Sequence, residues 1–202
     1  MLWLICQRLN SALKSNPKEG VSSEPQLIVK ELKEAVDKLT SESESRGIDS
    51  LSKIALRSIP KGVIENGLYS EDALIERFNK VEDICKRVSL VDEENSSLMR
   101  YALSYLQSML IIDRSKISEK EVGNEEIDAS RLGTYDLLAR IRYYLKERNL
   151  EMSLRYANQL RGEPRKVASD WIRDVRNHLE VRQVSSILQA QCSATTLTTL
   201  NK

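Results

Sequence analysis

The residues best placed to do chemistry lie between Glu71 and Ser89. Arg77, Lys80 and Arg87 alternate with Phe78, Val81 and Ile84 at three- and four-residue spacings. That spacing sets them on neighbouring strips of one helix. Such a surface can do interfacial chemistry. Its alkyl and aromatic groups enter the acyl boundary of a bilayer while the cationic heads stay at the phosphates. The same helix carries an apolar stripe of Leu74, Phe78, Val81, Cys85 and Val88, with Asp72, Glu76 and Asp83 on the far side. A stripe of that kind also suits the buried face of a bundle helix. On the residues alone, both readings stand.

Catalysis finds no comparable support. The chain has one histidine, His178, mid-helix with no evident partner, and three scattered cysteines, Cys6, Cys85 and Cys192, without a CxxC. The cysteines read as small buried hydrophobes rather than as a disulfide framework or zinc site. Phosphate-loop, dinucleotide, zinc-protease and nucleophile-elbow motifs are missing. No catalytic residue, metal ligand or cofactor is therefore expected. Lys+Arg 31 against Asp+Glu 30 leaves a net charge of +1, so no basic field points to nucleic acid. No apolar run approaches the ~18 residues of a membrane span. The greasy start, MLWLIC, lacks the features of a signal peptide and is expected to be the cut edge of a longer protein.

The elements that must carry these residues are helices. With 41% apolar and 30% charged residues and only seven Gly and four Pro, the chain favours long helices with solvated faces. Helices are predicted over 2–14, from Pro25 to about Leu39, over roughly 50–58, and from Ser70, as N-cap, to about Ser89. The stretch 60–69 reads as turn-rich. From Leu98 to Ile112 a helix apolar on nearly every side suits the centre of a bundle, and 113–128 reads as a charged loop. A helix over about 130–148 follows. Asn149 then caps another, which Gly162 ends in a left-handed conformation. Pro164 sits in the first turn of the last helix. The fold class is all-α, a bundle of about four core helices preceded by linker and amphipathic helices.

The helix from 164 to about 191 changes its apolar face. Ala168, Trp171, Ile172, Val175 and Leu179 share one stripe, while Val181, Val184, Leu188 and Gln191 share another. A helix whose apolar face shifts contacts two different things. Val181, Val184 and Leu188 are accordingly candidates for binding a partner, with a bend inside one core as the alternative.

The runs SEDALIERFNKVEDICKRVSLVDEENSSLMRYALSYLQSML and LRYANQLRGEPRKVASDWIRDVRNHLEVRQVSSIL resemble the C-terminal domain of the mitofilin family, over about 69 to 191. The resemblance is most specific at ERFNKV, LSYLQS and NQLRGEPRKVASDW. It implies a helical bundle at the intermembrane-space side of the mitochondrial inner membrane, and a non-enzymatic organiser of cristae junctions. It also implies a CHCH-domain partner subunit, self-association as a dimer or higher oligomer, and an adjoining lipid-binding segment whose Arg-Phe pair matches Arg77-Phe78. Membrane binding through Arg77, Phe78, Lys80, Val81, Ile84 and Arg87, with cardiolipin as the anionic phospholipid, follows as an expectation. The domains expected are a helical linker and lipid-binding region over 1–69, joining to a coiled coil upstream of this chain, a helical domain over 70–191, and a flexible tail over 192–202. The competing reading is a helical-repeat-like adaptor that binds protein without touching membrane.

Overall fold

The computed structural model describes residues 2–14, 27–34, 48–89 and 132–200. Eight helices occur among them: α1 (Leu2–Lys14), α2 (27–34), α3 (Ile48–Arg57), α4 (Lys61–Asn66), α5 (Glu71–Val88), α6 (Thr134–Lys146), α7 (Leu150–Ala157) and α8 (Gly162–Leu200). The described residues include no strand beyond an isolated bridge position at Leu68. The all-α expectation holds. The apolar helix expected over 98–112 and the charged loop over 113–128 lie outside the described residues.

The chain divides into two compact units, one built from Met1–Leu74 with Asp174–Lys202, the other from Ile75–Arg173. The N-terminal helices therefore belong with the end of the chain. The region over 1–69 supplies thirteen of the sixteen described buried residues in the first unit's core, and the last helix supplies the other three. The α4 helix occupies part of the stretch read as turns, and α8 runs through Leu200, beyond the start of the expected tail.

In the first unit the core gathers Ile5, Cys6, Leu9 and Leu13 from α1 and Ile28, Val29 and Leu32 from α2. Ala55, Leu56, Ile59, Val63 and Leu68 follow, and Val181, Val184 and Leu188 of α8 complete it. The α1 side chains recur at i, i+1, i+4 and i+8, which is why that helix has one dry face. Each fully buried Leu or Ile contributes roughly 2 kcal/mol of transfer free energy. Polar ties add register. Ser185 Oγ donates to the Cys6 carbonyl at 3.2 Å, Asn10 Nδ2 to Gln189 Oε1 at 3.2 Å, and Ser52 Oγ to Gln191 Oε1 at 2.8 Å. The Arg8–Glu31 pair at 3.0 Å joins α1 to α2, but both side chains are about half exposed, so it adds little. His178, which showed no partner in sequence, has one here: its Nδ1 lies 3.0 Å from the Tyr69 carbonyl oxygen. A carbonyl only accepts, so Nδ1 carries the proton of the neutral ring. Burial pushes its pKa below the ordinary 6.5; the Tyr69 contact opposes that and Arg182 reinforces it.

The second unit is centred on Trp171 and Phe78, whose rings sit 4.9 Å apart at a 49° tilt. Asn149 caps α7 as expected, but α7 ends at Ala157 with Asn158 as its C-cap, and Gly162, expected to end it, is the first residue of α8. The Asn149 side chain accepts from Met152 N–H at 3.0 Å. Gly162 has φ 58°, the left-handed value a Cβ disfavours. Arg165 Nη1 donates to the Ala157 carbonyl at 3.0 Å, which also accepts from Leu160 N–H at 3.3 Å, so the end of α7 is closed by backbone and side chain together. The α6–α7 joint is tighter than expected. Arg148 adopts φ 55°, and Asn149 N–H reaches back to the Tyr144 carbonyl at 2.8 Å. Tyr144 stacks on Tyr156 across that joint with centroids 5.5 Å apart.

Candidate functional site

Helix α5 owes its boundaries to local chemistry. Ser70 Oγ accepts from Ala73 N–H at 3.4 Å, and the Ser70 carbonyl takes the first helical bond from Leu74 at 3.0 Å. Glu71 and Asp72 stand in the first turn and Lys86 and Arg87 in the last, so the charges follow the helix dipole. Leu74, Phe78, Glu82 and Cys85 mark its buried face, at spacings of four, four and three residues along about three turns.

Phe78 was expected at the lipid-facing surface. The structure corrects this: only 1% of it is exposed, and its ring is committed to Trp171. The physical reason is that Phe78 sits at the junction of two strips, and the core takes the strip shared with Leu74 and Cys85. The other five residues lie together on a different flank. Lys80, Ile84 and Arg87 are exposed, and Arg77 and Val81 are half-buried beside them. At about 100° per residue these five span roughly a third of the helix circumference. Ile84, at 47% exposure, is the large apolar side chain of this flank that faces solvent.

The opposite edge of α5 is tied down by charge. Glu82 is buried, with Oε1 2.8 Å from Lys86 Nζ and 3.3 Å from Arg142 Nη1. Both cations sit within ion-pair distance but off the hydrogen-bond axis of that oxygen. Tyr135 Oη also donates to the Lys86 carbonyl at 3.0 Å. This edge belongs to the fold, whereas Lys80, Ile84 and Arg87 are exposed to solvent.

Val181, Val184 and Leu188, expected to bind a partner, are 0%, 3% and 0% exposed. They close the core of the first unit, so they are not a docking surface. The change of apolar face along α8 is real, but its cause is internal. Ala168, Trp171 and Ile172 fall in the segment belonging to the second unit, and Val181 onward in the segment belonging to the first.

The cysteines are chemically quiet. Cys85 donates toward the Pro164 carbonyl with Sγ 3.4 Å away, and burial, then the Glu82 carboxylate, pushes its pKa up to about 12. Burial raises Cys6 to about 11, aided by Cys192 and opposed by Ser185. A thiolate nucleophile needs the reverse shift. Among the described residues no cluster of His, Cys, Asp and Glu could hold a metal ion, and no helix is long and apolar enough to cross a membrane.

Sequence reasoning passed over four exposed apolar side chains. Trp3 and Leu4 on α1, Leu27 on α2 and Ile54 on α3 are 47%, 59%, 63% and 63% exposed. Trp3 and Leu4 fall off the Ile5–Cys6–Leu9–Leu13 face, and that mismatch is the signal that marks them as outward-facing.

Comparison with known proteins gives these surfaces a setting. The family described as "Mitofilin: Mitochondrial inner membrane protein" matches residues 1–193. MICOS complex subunit Mic60 of Drosophila melanogaster is 37% identical over 197 residues, covering 97% of this chain and 26% of the relative. MICOS complex subunit mic60 of Emericella nidulans is 28% identical over 156 residues, covering 77% and 23%. The subunit of Aspergillus niger is 28% identical over 170 residues, covering 84% and 24%. The chain thus spans about a quarter of the length of these relatives. No solved structure matches it.

Proposed function

This chain belongs to the mitofilin family, and from that premise we propose that it is a non-enzymatic scaffold module of the mitochondrial inner membrane, acting on the intermembrane-space side. It helps form and maintain cristae junctions by peripheral membrane contact, self-association and recruitment of a CHCH-domain subunit. The observation that carries the membrane part is the outward flank of α5, where Lys80 and Arg87 bracket a half-exposed Ile84. Phe78 is not part of this mechanism. Trp3 and Leu4, in the region expected to bind lipid, offer a second apolar contact.

The strength of such a contact can be bounded. Burying the exposed half of Ile84 contributes about 1 kcal/mol. Each of Lys80 and Arg87 adds about 1 kcal/mol beside an anionic leaflet. A total of ~3 kcal/mol is roughly a hundredfold preference for the surface. That is weak for one copy, so self-association or an anchor elsewhere in the protein must supply avidity. The charge part fades as salt rises.

The test is flotation with cardiolipin-containing vesicles, comparing the unaltered chain with Ile84→Asp, Lys80→Glu/Arg87→Glu and Trp3→Ala/Leu4→Ala. Loss of flotation in folded variants supports the reading. An unaltered chain that stays at the bottom at low salt leaves the protein-docking adaptor as the better account. Pulldown of the CHCH-domain subunit by the same variants separates the two activities.

A further inference from the structure

Cys6 and Cys192 both belong to the first unit, one on α1 and the other on α8. Neither is in a disulfide; Cys6 is fully buried and Cys192 half-buried. The register of the two helices brings them towards each other. A cleft in this unit is lined by Asn10, Leu13 and Lys14 of α1, Glu71 of α5, and His178, Arg182 and Ser186 of α8. The end of α1 thus shares a cleft with His178, whereas Asn10, one turn earlier, donates to Gln189 further along α8. Residue numbers fall along α1 as they rise along α8, and the two helices run antiparallel. One turn back from Asn10 is Cys6, and about one turn on from Gln189 is Cys192.

Three further observations narrow the gap. Ser185 Oγ donates to the Cys6 carbonyl at 3.2 Å. A serine hydroxyl that reaches a facing backbone requires a close approach of two helices, which a disulfide also needs, since its Cα atoms stand about 4.4–6.8 Å apart. Ser185 and Cys192 are seven residues apart, about two turns, so they share one strip of α8. Each helical side chain leans towards the N-terminus of its own helix. In this antiparallel pair Cys6 therefore leans towards the end of α8, and Cys192 leans back towards Leu188. Burial, and after it the Cys192 thiol, pushes the Cys6 pKa up to about 11, so the two sulfurs lie within electrostatic reach.

We propose that Cys6 and Cys192 form a reversible disulfide that staples α1 to the far part of α8, with a small-molecule disulfide such as glutathione disulfide as the oxidant. Cys192, the more accessible thiol, attacks first as its thiolate. Its sulfur bonds to one sulfur of the oxidant, that S–S bond breaks, and one glutathione leaves with the proton Cys192 gave up. Cys6 then loses its proton and attacks the Cys192 sulfur from inside the core, and the second glutathione leaves. Two cysteine thiols are oxidised, and one glutathione disulfide is reduced to two glutathiones. No reagent has to reach Cys6 from outside. Its high pKa makes the second step slow, on the scale of hours. The bridge joins the two separated stretches of chain that build the first unit, and a link over so long a loop restricts the unfolded chain strongly. Cys85 lies in the second unit, directed at the Pro164 carbonyl, and takes no part.

The test treats the full 202-residue chain with glutathione disulfide at pH 8, then denatures it, alkylates the remaining thiols and reads the intact mass. The expected product carries one alkyl group, on Cys85, and yields a Cys6–Cys192 peptide pair on digestion. Its first unit should melt at least about 5 °C higher than the reduced form, and dithiothreitol should reverse both changes. Cys85→Ser should still form the bridge, and Cys192→Ser, a change at a half-buried position, should not. Glutathione retained on Cys192, with Cys6 open to alkylation after denaturation, overturns the assignment. A bridge that forms in concentrated urea but not in the folded chain overturns it as well. A bridged chain that melts no higher than the reduced one overturns the staple.

Discussion

Replacing Phe78 by alanine separates the two roles its sequence position offered. The ring is 1% exposed and lies 4.9 Å from Trp171. Deleting it removes most of a large buried side chain and leaves a cavity beside the indole. Losses of this kind run about 3–5 kcal/mol, including the aromatic pair. For a chain of this length each kcal/mol moves the midpoint by about 2–4 °C, so the second unit should melt about 10 °C lower. Ile84→Asp, two turns along on the exposed flank, should shift melting by no more than about 2 °C, since surface changes stay within about 0.5 kcal/mol. Scanning calorimetry reads both, and vesicle flotation of the same samples reads function. Phe78→Ala should still float below its melting point, whereas Ile84→Asp should not. If Phe78→Ala melts within about 2 °C of the unaltered chain, the burial argument fails. If it stays folded yet loses flotation while Ile84→Asp keeps it, the flank has been assigned to the wrong residues.

Other expectations follow from particular contacts. His178 is held neutral, its folded pKa below the unfolded value, so the unfolded chain binds the extra proton. Stability is then complete above about pH 6.5 and declines as pH falls, by at most about 1.4 kcal/mol per pH unit. Urea midpoints from pH 7.5 to 5 should show this slope, and His178→Asn, which keeps an N–H for the Tyr69 carbonyl, should reduce it. Cys6 and Cys85 shift the other way, to about 11 and about 12 from 9.0. The folded chain holds two protons that the unfolded chain loses, so their share of stability is intact below about pH 9 and drains as pH rises through those values. A thiol reagent at pH 8 should therefore modify half-buried Cys192 first and reach Cys6 and Cys85 only on unfolding; three equal fast reactions would contradict the burial. Arg148→Gly should stabilise the α6–α7 joint by up to about 1 kcal/mol, because φ 55° strains a residue with a Cβ; a lower melting point would show that the arginine side chain matters more than the strain. Val184→Asp should unfold the first unit rather than selectively abolish partner capture, and circular dichroism decides that directly.

Local signals were legible wherever a single turn of chain determines the outcome. Ser70, Asn149 and Gly162 do what their chemistry dictates, because caps and left-handed positions depend on neighbours three or four residues away. The α5 flank was legible as a mixed basic and apolar surface. The place of Phe78 was not, since two strips about 120° apart on the helix both carry apolar residues and only tertiary packing chooses which is covered. The change of face in α8 could be read, but its cause could not. A periodicity records that a side chain is buried and carries no information on whether the covering atoms come from another molecule or from α1, more than 160 residues earlier in the same chain. The cleft was invisible for the same reason, as its walls come from three separated stretches of sequence.

The divided first unit has a consequence for the order in which the chain can become native. Its two halves, Met1–Leu74 and Asp174–Lys202, are separated by the 99 residues of Ile75–Arg173 (173 − 75 + 1). During synthesis or threading through a pore, the contiguous second unit can close on itself while α1 and α2 still wait with their apolar faces uncovered. Only the arrival of Val181, Val184 and Leu188 ends that exposure. The segment from Asp174 onward thus acts as a completion signal, and any chain cut short before it displays a greasy surface to chaperones and proteases.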